Sequence, residues 1–154
     1  MNLDFCTDNY RFNARVSVII YDKTKTKVLL FKVNDGRDFY MLPGGRIMVD
    51  EDSKNAIKRE IKEELNFDLD YQLCSIQENF VSKNNINIMQ YCFCYKAIYE
   101  GDIIDEVFNC LDNEGQLFEW IDIKNIDNYK ILPLSNKELI VSRNISIKHI
   151  IERI

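Results

Sequence analysis

The chain has 154 residues, 46% of them hydrophobic, and a formal net charge of −5. That length and apolar content suit one domain, expected over residues 1–154, around a single core; no signal-peptide pattern and no apolar run long enough to cross a membrane is present. The acidic balance argues against a general nucleic-acid groove, which needs a basic face, and five cysteines without a CxxC pair point to reduced thiols and a cytoplasmic setting.

In chain order, Arg15 to Tyr21 and Lys27 to Val33 read as a strand pair around the polar turn Asp22 to Thr26. Asn34 to Arg37 is a loop, and Met41-Leu42 lead into a break at Pro43-Gly44-Gly45. Asp52 is a good N-cap for a helix over about Ser53 to Leu65, and Asn66 tolerates the left-handed conformation on which helices often end. Tyr71 to Glu78, Asn85 to Tyr99 and Leu117 to Asp122 read as strands, the second with alternating Met89, Tyr91, Phe93, Tyr95 and Ala97. Pro133 to Ser142 reads as a second helix, and the tail Ile145 to Ile154 fits both periods. This order predicts an α+β fold, an α/β/α sandwich with a mixed β-sheet between helices.

The first helix carries an unusual charge pattern. On a wheel of roughly 100° per residue, Ile57, Ile61 and Leu65 form one apolar stripe, and Glu60, Glu63 and Glu64 share an adjacent arc. Lys58, Arg59 and Lys62 lie elsewhere, so Glu60 and Glu64 at i,i+4 repel. Clustered carboxylates at a buried edge are costly unless a cation sits among them, either a basic segment or a divalent metal.

From Gly45 the chain reads Gly, five residues, Glu51, seven residues, then Arg59-Glu60-Ile61-Lys62-Glu63-Glu64-Leu65-Asn66-Phe67. This resembles the box of the Nudix hydrolase family (MutT-like), with Asn66 at the usual glycine and Phe67 at the usual aliphatic position. The lead-in Tyr40 to Gly45 is similar to that of the family as well. The motif covers about a sixth of the chain but fixes many positions at set spacings.

The resemblance implies a Nudix fold and hydrolysis of a diphosphate linkage in a nucleoside diphosphate derivative, with Mg2+ or Mn2+ as cofactor. Hard carboxylate oxygens suit such ions, and a bound cation would let an acidic chain hold a phosphate substrate. Carried over residue by residue, the metal ligands are Glu60, Glu63 and Glu64, with the carbonyl of Gly44 as a further oxygen. Arg59 holds a box glutamate by a bidentate ion pair, and Glu51 is an outer carboxylate or the partner of Arg59. Glu114-Gly115-Gln116 resembles a late loop in the oxidised-nucleotide-sanitising branch, making Glu114 a candidate ligand or general base. Arg15 and Arg46 are candidate phosphate contacts and Tyr40 a candidate stacking ring, against the plainer reading of surface arginines and a core aromatic.

Two functions follow: a metal-dependent diphosphate hydrolase, or a non-catalytic Nudix-fold binding or regulatory module. The intact Arg59, Glu60, Glu63 and Glu64 favour the first. The expected partner is a small-molecule nucleoside diphosphate derivative, with the Glu-Gly-Gln segment tilting toward nucleoside triphosphates or oxidised nucleotides. No membrane and no general nucleic acid is expected, and a homodimer is compatible with the sequence.

Overall fold

The computed structural model describes residues 1–153, so Ile154, the end of the tail that fits both periods, lies outside the described residues. Its elements are β1 (Asp4–Cys6), β2 (Tyr10–Asp22), β3 (Lys27–Val33), β4 (Gly44–Arg46), α1 (Ser53–Leu65), β5 (Gln72–Lys83) and β6 (Ile86–Tyr99). There follow β7 (Val107–Asn109), β8 (Gln116–Asp122), a 3-10 segment at Ile123–Asn128, α2 (Asn136–Val141) and β9 (Lys148–Arg153). The strands form one mixed sheet in the order β7-β8-β3-β2-β6-β5-β9, with β1 and β4 joined to β2.

Alternation along the strands gives the sheet two apolar faces. Val16, Val18, Ile20 and Leu29 face Ala56, Ile57, Ile61 and Leu65 of α1, whereas Ile19, Val28, Leu30 and Cys94 face Leu139 and Ile140 of α2 and Ile126 of the 3-10 segment. The sheet between helices expected from the sequence is therefore present. Among the described residues no helix is long and apolar enough to cross a membrane.

Helix α1 begins and ends as its sequence predicts. Asp52 accepts a 2.7 Å hydrogen bond from the Asn55 amide. Asn66 closes the helix at φ 57°, ψ 34°, its amide donating to the Lys62 carbonyl. Ile57 and Ile61 are fully buried, which fixes the rotation of the helix and carries the glutamate arc to the edge of the contact.

Strand β2 departs from the simple hairpin. It runs parallel to β6 over its whole length, from Tyr10 beside Asn87 to Asp22 beside Tyr99, and meets β3 only at Tyr21 and Val28. The expected break at Pro43-Gly44-Gly45 is instead entered by a short strand, because β4 pairs with Arg15, Val16 and Ser17 of β2. Gly44 permits this: a Cβ there would overlap the Val16 carbonyl and the Ser17 backbone. β3, displaced from β2, pairs along its length with β8.

The second helix is shorter than Pro133 to Ser142. The Glu152 carboxylate accepts from the amides of Leu134 and Ser135 (3.2 and 3.0 Å), holding that segment outside the helix until Asn136. The tail is a strand, β9, parallel to β5; His149 Nε2 lies 2.5 Å from Glu78 Oε2, and the Arg153 guanidinium sits 4.2 Å from the centre of the Phe80 ring. The short strands β1 and β7 have too few residues to show a period, so neither is legible before the fold is known.

The cap at Asn66 yields a stability prediction. Asn66→Gly should match or slightly exceed the parent in urea unfolding, while Asn66→Val should lose about 1–2 kcal/mol, since a β-branched residue is strained in the left-handed region. Equal stability of the two variants would show that this conformation does not close the helix.

Candidate active site

The glutamates of α1 gather around one guanidinium. Arg59 donates from Nε and Nη2 to the two oxygens of Glu51 at 2.8 and 3.0 Å, a bidentate pair. Its Nη1 reaches Glu60 at 3.0 Å and Glu63 at 3.4 Å, and Nη2 also donates to the Arg46 carbonyl at 2.9 Å. Arg59 thus ties the loop after β4 to the helix, and it is the cation shared by Glu51, Glu60 and Glu63. The Arg59 side chain beside it pulls the Glu51 carboxyl below the usual carboxylate range.

Glu60 and Glu64 sit differently. Glu60 lies over Gly45, where any Cβ would overlap its carboxyl group. Burial raises its pKa, against the pull of Arg59. Glu64 is 8% exposed, and its Oε2 is buried with no hydrogen-bond partner among the described residues. Its pKa is pushed up to about 8, first by burial and then by the charges of Glu60 and Asp112. Glu63 is the outermost of the three, with a side chain 47% exposed.

Near these acids stands an arginine without an ion pair among the described residues. Arg15 is half-buried on β2 and is opposite Arg46 in the β2–β4 register. Burial lowers its pKa, and the charges of Glu60 and Glu64 act in the opposite direction. Arg46 Nε lies 2.8 Å from Asp4 Oδ2, but off the hydrogen-bond direction, so the nitrogen is unsatisfied. Asp4 is shared with Arg11, whose Nε donates to it at 2.8 Å and which holds its pKa below the usual range. One aspartate among Arg11, Arg15 and Arg46 leaves positive charge in excess next to the glutamates.

Among the described residues, two other candidates, Tyr40 and Glu114, make no hydrogen bond or ion pair to this cluster. Tyr40 packs on the α2 face against Tyr129 and donates a 2.6 Å hydrogen bond to Glu119, so its ring and hydroxyl are engaged away from α1. Glu114 is exposed on the turn before β8. From that loop the charge acting on Glu64 is that of Asp112, which also accepts from the Cys110 thiol, while the Leu111 amide donates to the Glu64 carbonyl at 3.0 Å. Asp4, Arg11 and Asp112 escape a sequence reading because they belong to no local motif; pairing between distant segments brings them in.

The donors suit a hard divalent cation. Glu64 Oε2 is an acceptor shut away from water without a partner, and Glu60 is charged at a cost that a cation would relieve. Among the described residues, no three His, Cys, Asp or Glu side chains already enclose a common point; Glu60 and Glu63 are turned toward Arg59. The fit therefore rests on donor chemistry and on the orphaned oxygen.

Known proteins resemble the chain in sequence and in fold. The family described as NUDIX domain matches residues 11–141. The chain is 33% identical over 111 residues to a Saccharomyces cerevisiae m7GpppN-mRNA hydrolase, covering 70% of this chain and 10% of that protein, so it spans about a tenth of that relative's length. A MutT protein from Bacillus halodurans is similar in structure with a TM-score of 0.68 at 18% identity, covering 91% of this chain and 89% of that one. A NUDIX hydrolase from Nitrosomonas europaea superposes with a TM-score of 0.65 at 18% identity, over 97% and 82% of the two chains.

Glu64 predicts a pH dependence in chelator. Its folded pKa of about 8 stands above the ordinary 4.5, so between these values the folded chain binds the extra proton. Its contribution to stability is then complete below about 4.5 and is lost as pH rises through about 8. Thermal midpoints of the parent should fall across that window, and Glu64→Gln should flatten the fall; identical slopes would contradict the assignment.

Proposed function

The chain belongs to the Nudix family, and from that premise we propose that it is a pyrophosphohydrolase that cleaves a diphosphate linkage in a nucleoside diphosphate derivative. The observation that carries the reading is the pairing of a solvent-starved Glu64 and Glu60 with Arg15, which has no ion pair among the described residues, on the neighbouring strand. Carboxylates there call for a cation, and the guanidinium of Arg15 calls for an anion. A metal-bound diphosphate satisfies both.

In this reading Glu60, Glu63 and Glu64, with the Gly44 carbonyl as a further oxygen, hold Mg2+ or Mn2+. The bound ion would neutralise the diphosphate, polarise the attacked phosphorus and lower the pKa of a water. Arg15 and Arg46 bind the phosphate oxygens and orient the linkage, which holds the attacked phosphorus still without requiring protein motion in the reaction. Arg59 positions Glu60 and Glu63 while its bidentate hold on Glu51 fixes the guanidinium itself. Glu114, or Glu63 where the ion is held by Glu60 and Glu64 without it, would take the proton from the attacking water. Tyr40 would join the substrate only after leaving Glu119.

The substrate panel should span nucleoside triphosphates, oxidised nucleotides, nucleotide sugars and dinucleoside polyphosphates. A capped RNA end belongs in it too, because a relative at 33% identity is a hydrolase of m7GpppN-mRNA. The five free cysteines among the described residues accord with the proposed cytoplasmic setting.

The test pairs turnover with stability. Glu60→Gln and Glu64→Gln keep shape and remove a charge, so turnover should fall on the order of tens to thousands-fold with the thermal midpoint unchanged or raised. A chelator should abolish hydrolysis and added Mg2+ or Mn2+ restore it. Unchanged turnover in both variants would remove Glu60 and Glu64 from the catalytic metal site, and hydrolysis of no substrate in the panel by the parent would place the non-catalytic module ahead.

A separate variant examines the seat of Glu60. Gly45→Ala should displace the Glu60 carboxyl and cut turnover by a factor comparable to Glu60→Gln, with Glu51 and Arg59 still paired. Full activity in that variant would show that the carboxyl does not act from where it lies.

A further inference from the structure

One buried side chain on the α2 face has no part in the chemistry of the glutamate cluster. Both the nitrogen and the oxygen of the Asn79 amide are buried without a hydrogen-bond partner among the described residues, and the residue is 1% exposed. A primary amide presents donors and an acceptor side by side, so leaving both ends unmet is costly in a folded interior.

Register gives Asn79 its surroundings. It lies opposite Gln90 of β6 and beside Glu152 of β9, and Gln90 in turn stands beside Asn13 of β2. Gln90 donates to Asn13 at 3.0 Å, which leaves Asn79 as the unmatched amide of this row. The next row along the strands reads Arg15, Cys92 and Gln77, with Gln77 donating to Asn136 of α2 at 3.1 Å. Glu152 holds the amides of Leu134 and Ser135, so the Leu134–Asn136 segment is anchored to both rows, and the Ser135 hydroxyl oxygen is buried without a partner as well. At ~3.4 Å per residue along a strand and ~4.8 Å between strands, Asn79 is about 12 Å from Arg15 across the sheet. That span matches the distance from a diphosphate to the base edge of the same nucleotide.

We infer that Asn79 is a specificity-determining residue that reads the base of the substrate through a paired donor and acceptor, while Arg15 holds the phosphates. The inference rests on the hydrolase reading for its substrate class. The ligand is a planar nitrogen heterocycle with a donor and an acceptor adjacent on one edge, the chemistry an asparagine amide pairs with two hydrogen bonds. Asn79 is 1% exposed, so admission of the base requires the side chains packed over it to shift; Glu152, its neighbour in β9, accepts from the amides of Leu134 and Ser135.

The experiment uses the full chain and its Asn79→Leu and Asn79→Asp variants. NMR titration with adenosine, guanosine, cytidine and uridine, without metal, reads base binding apart from hydrolysis. At least one nucleoside should bind the parent, and both variants should weaken it about 10- to 100-fold. With the corresponding nucleoside triphosphate and Mg2+, KM should rise and kcat stay the same, and inorganic pyrophosphate binding should not change. Failure of every nucleoside to bind the parent, or an unchanged affinity in Asn79→Asp with a folded spectrum, overturns the inference. Loss of thermal midpoint alone, with KM intact, overturns it too and leaves a packing role. If nucleosides bind through Asn79 but no diphosphate derivative is hydrolysed, the hydrolase reading fails and base recognition stands. If all three proteins hydrolyse the triphosphate with the same KM, base recognition fails and the hydrolase reading stands.

Discussion

The sharing of Arg59 among Glu51, Glu60 and Glu63 is the interaction on which the site depends. One guanidinium has five donors in a fixed fork, and here they are divided among three acids and the Arg46 carbonyl. A lysine could not span that set, because its point charge lacks the fork. The arrangement compensates the outer acids and leaves Glu64 out. Burial, and then the charges of Glu60 and Asp112, raise the pKa of Glu64, and its Oε2 has no hydrogen-bond partner among the described residues.

The sheet places a second charge opposite the first. β4 is wedged against β2 through Gly44, which splays β3 away and brings Arg46 beside Arg15. Gly45, the next residue, leaves the space in which the Glu60 carboxyl rests. Two adjacent glycines therefore have separate duties, one in strand packing and one in seating an acid. Either side chain would disturb the helix and strand contact that sets the spacing between carboxylates and arginines.

The same strands carry an uncharged tract on the α2 face. Asn13, Gln77, Asn79 and Gln90 of the sheet and Asn136 of α2 gather side-chain amides on a face that elsewhere buries Ile19, Val28, Leu30 and Cys94. Buried amides weaken a core relative to apolar packing unless their hydrogen bonds are complete. Most of these are bonded to one another and Asn79 is not, so the cost is concentrated at a single residue in line with Arg15.

Much of α1 was determined by sequence alone. Asp52, the Ile57–Ile61–Leu65 stripe and Asn66 act within one or two turns, so local chemistry sets its start, rotation and end, and with them the glutamate arc. The mixed sheet between helices was legible as well, with the alternation of β6 as its clearest local sign. Tertiary structure decided the rest. Which strand β2 adopts as its neighbour, the insertion of β4, the placing of Arg15, Asp4 and Asp112 by the glutamates, and the withdrawal of Tyr40 to Glu119 all follow from pairings between segments far apart in the chain. A periodic pattern says which face of an element is buried; it carries no term for the partner that buries it, and the charges of this site belong to that partner.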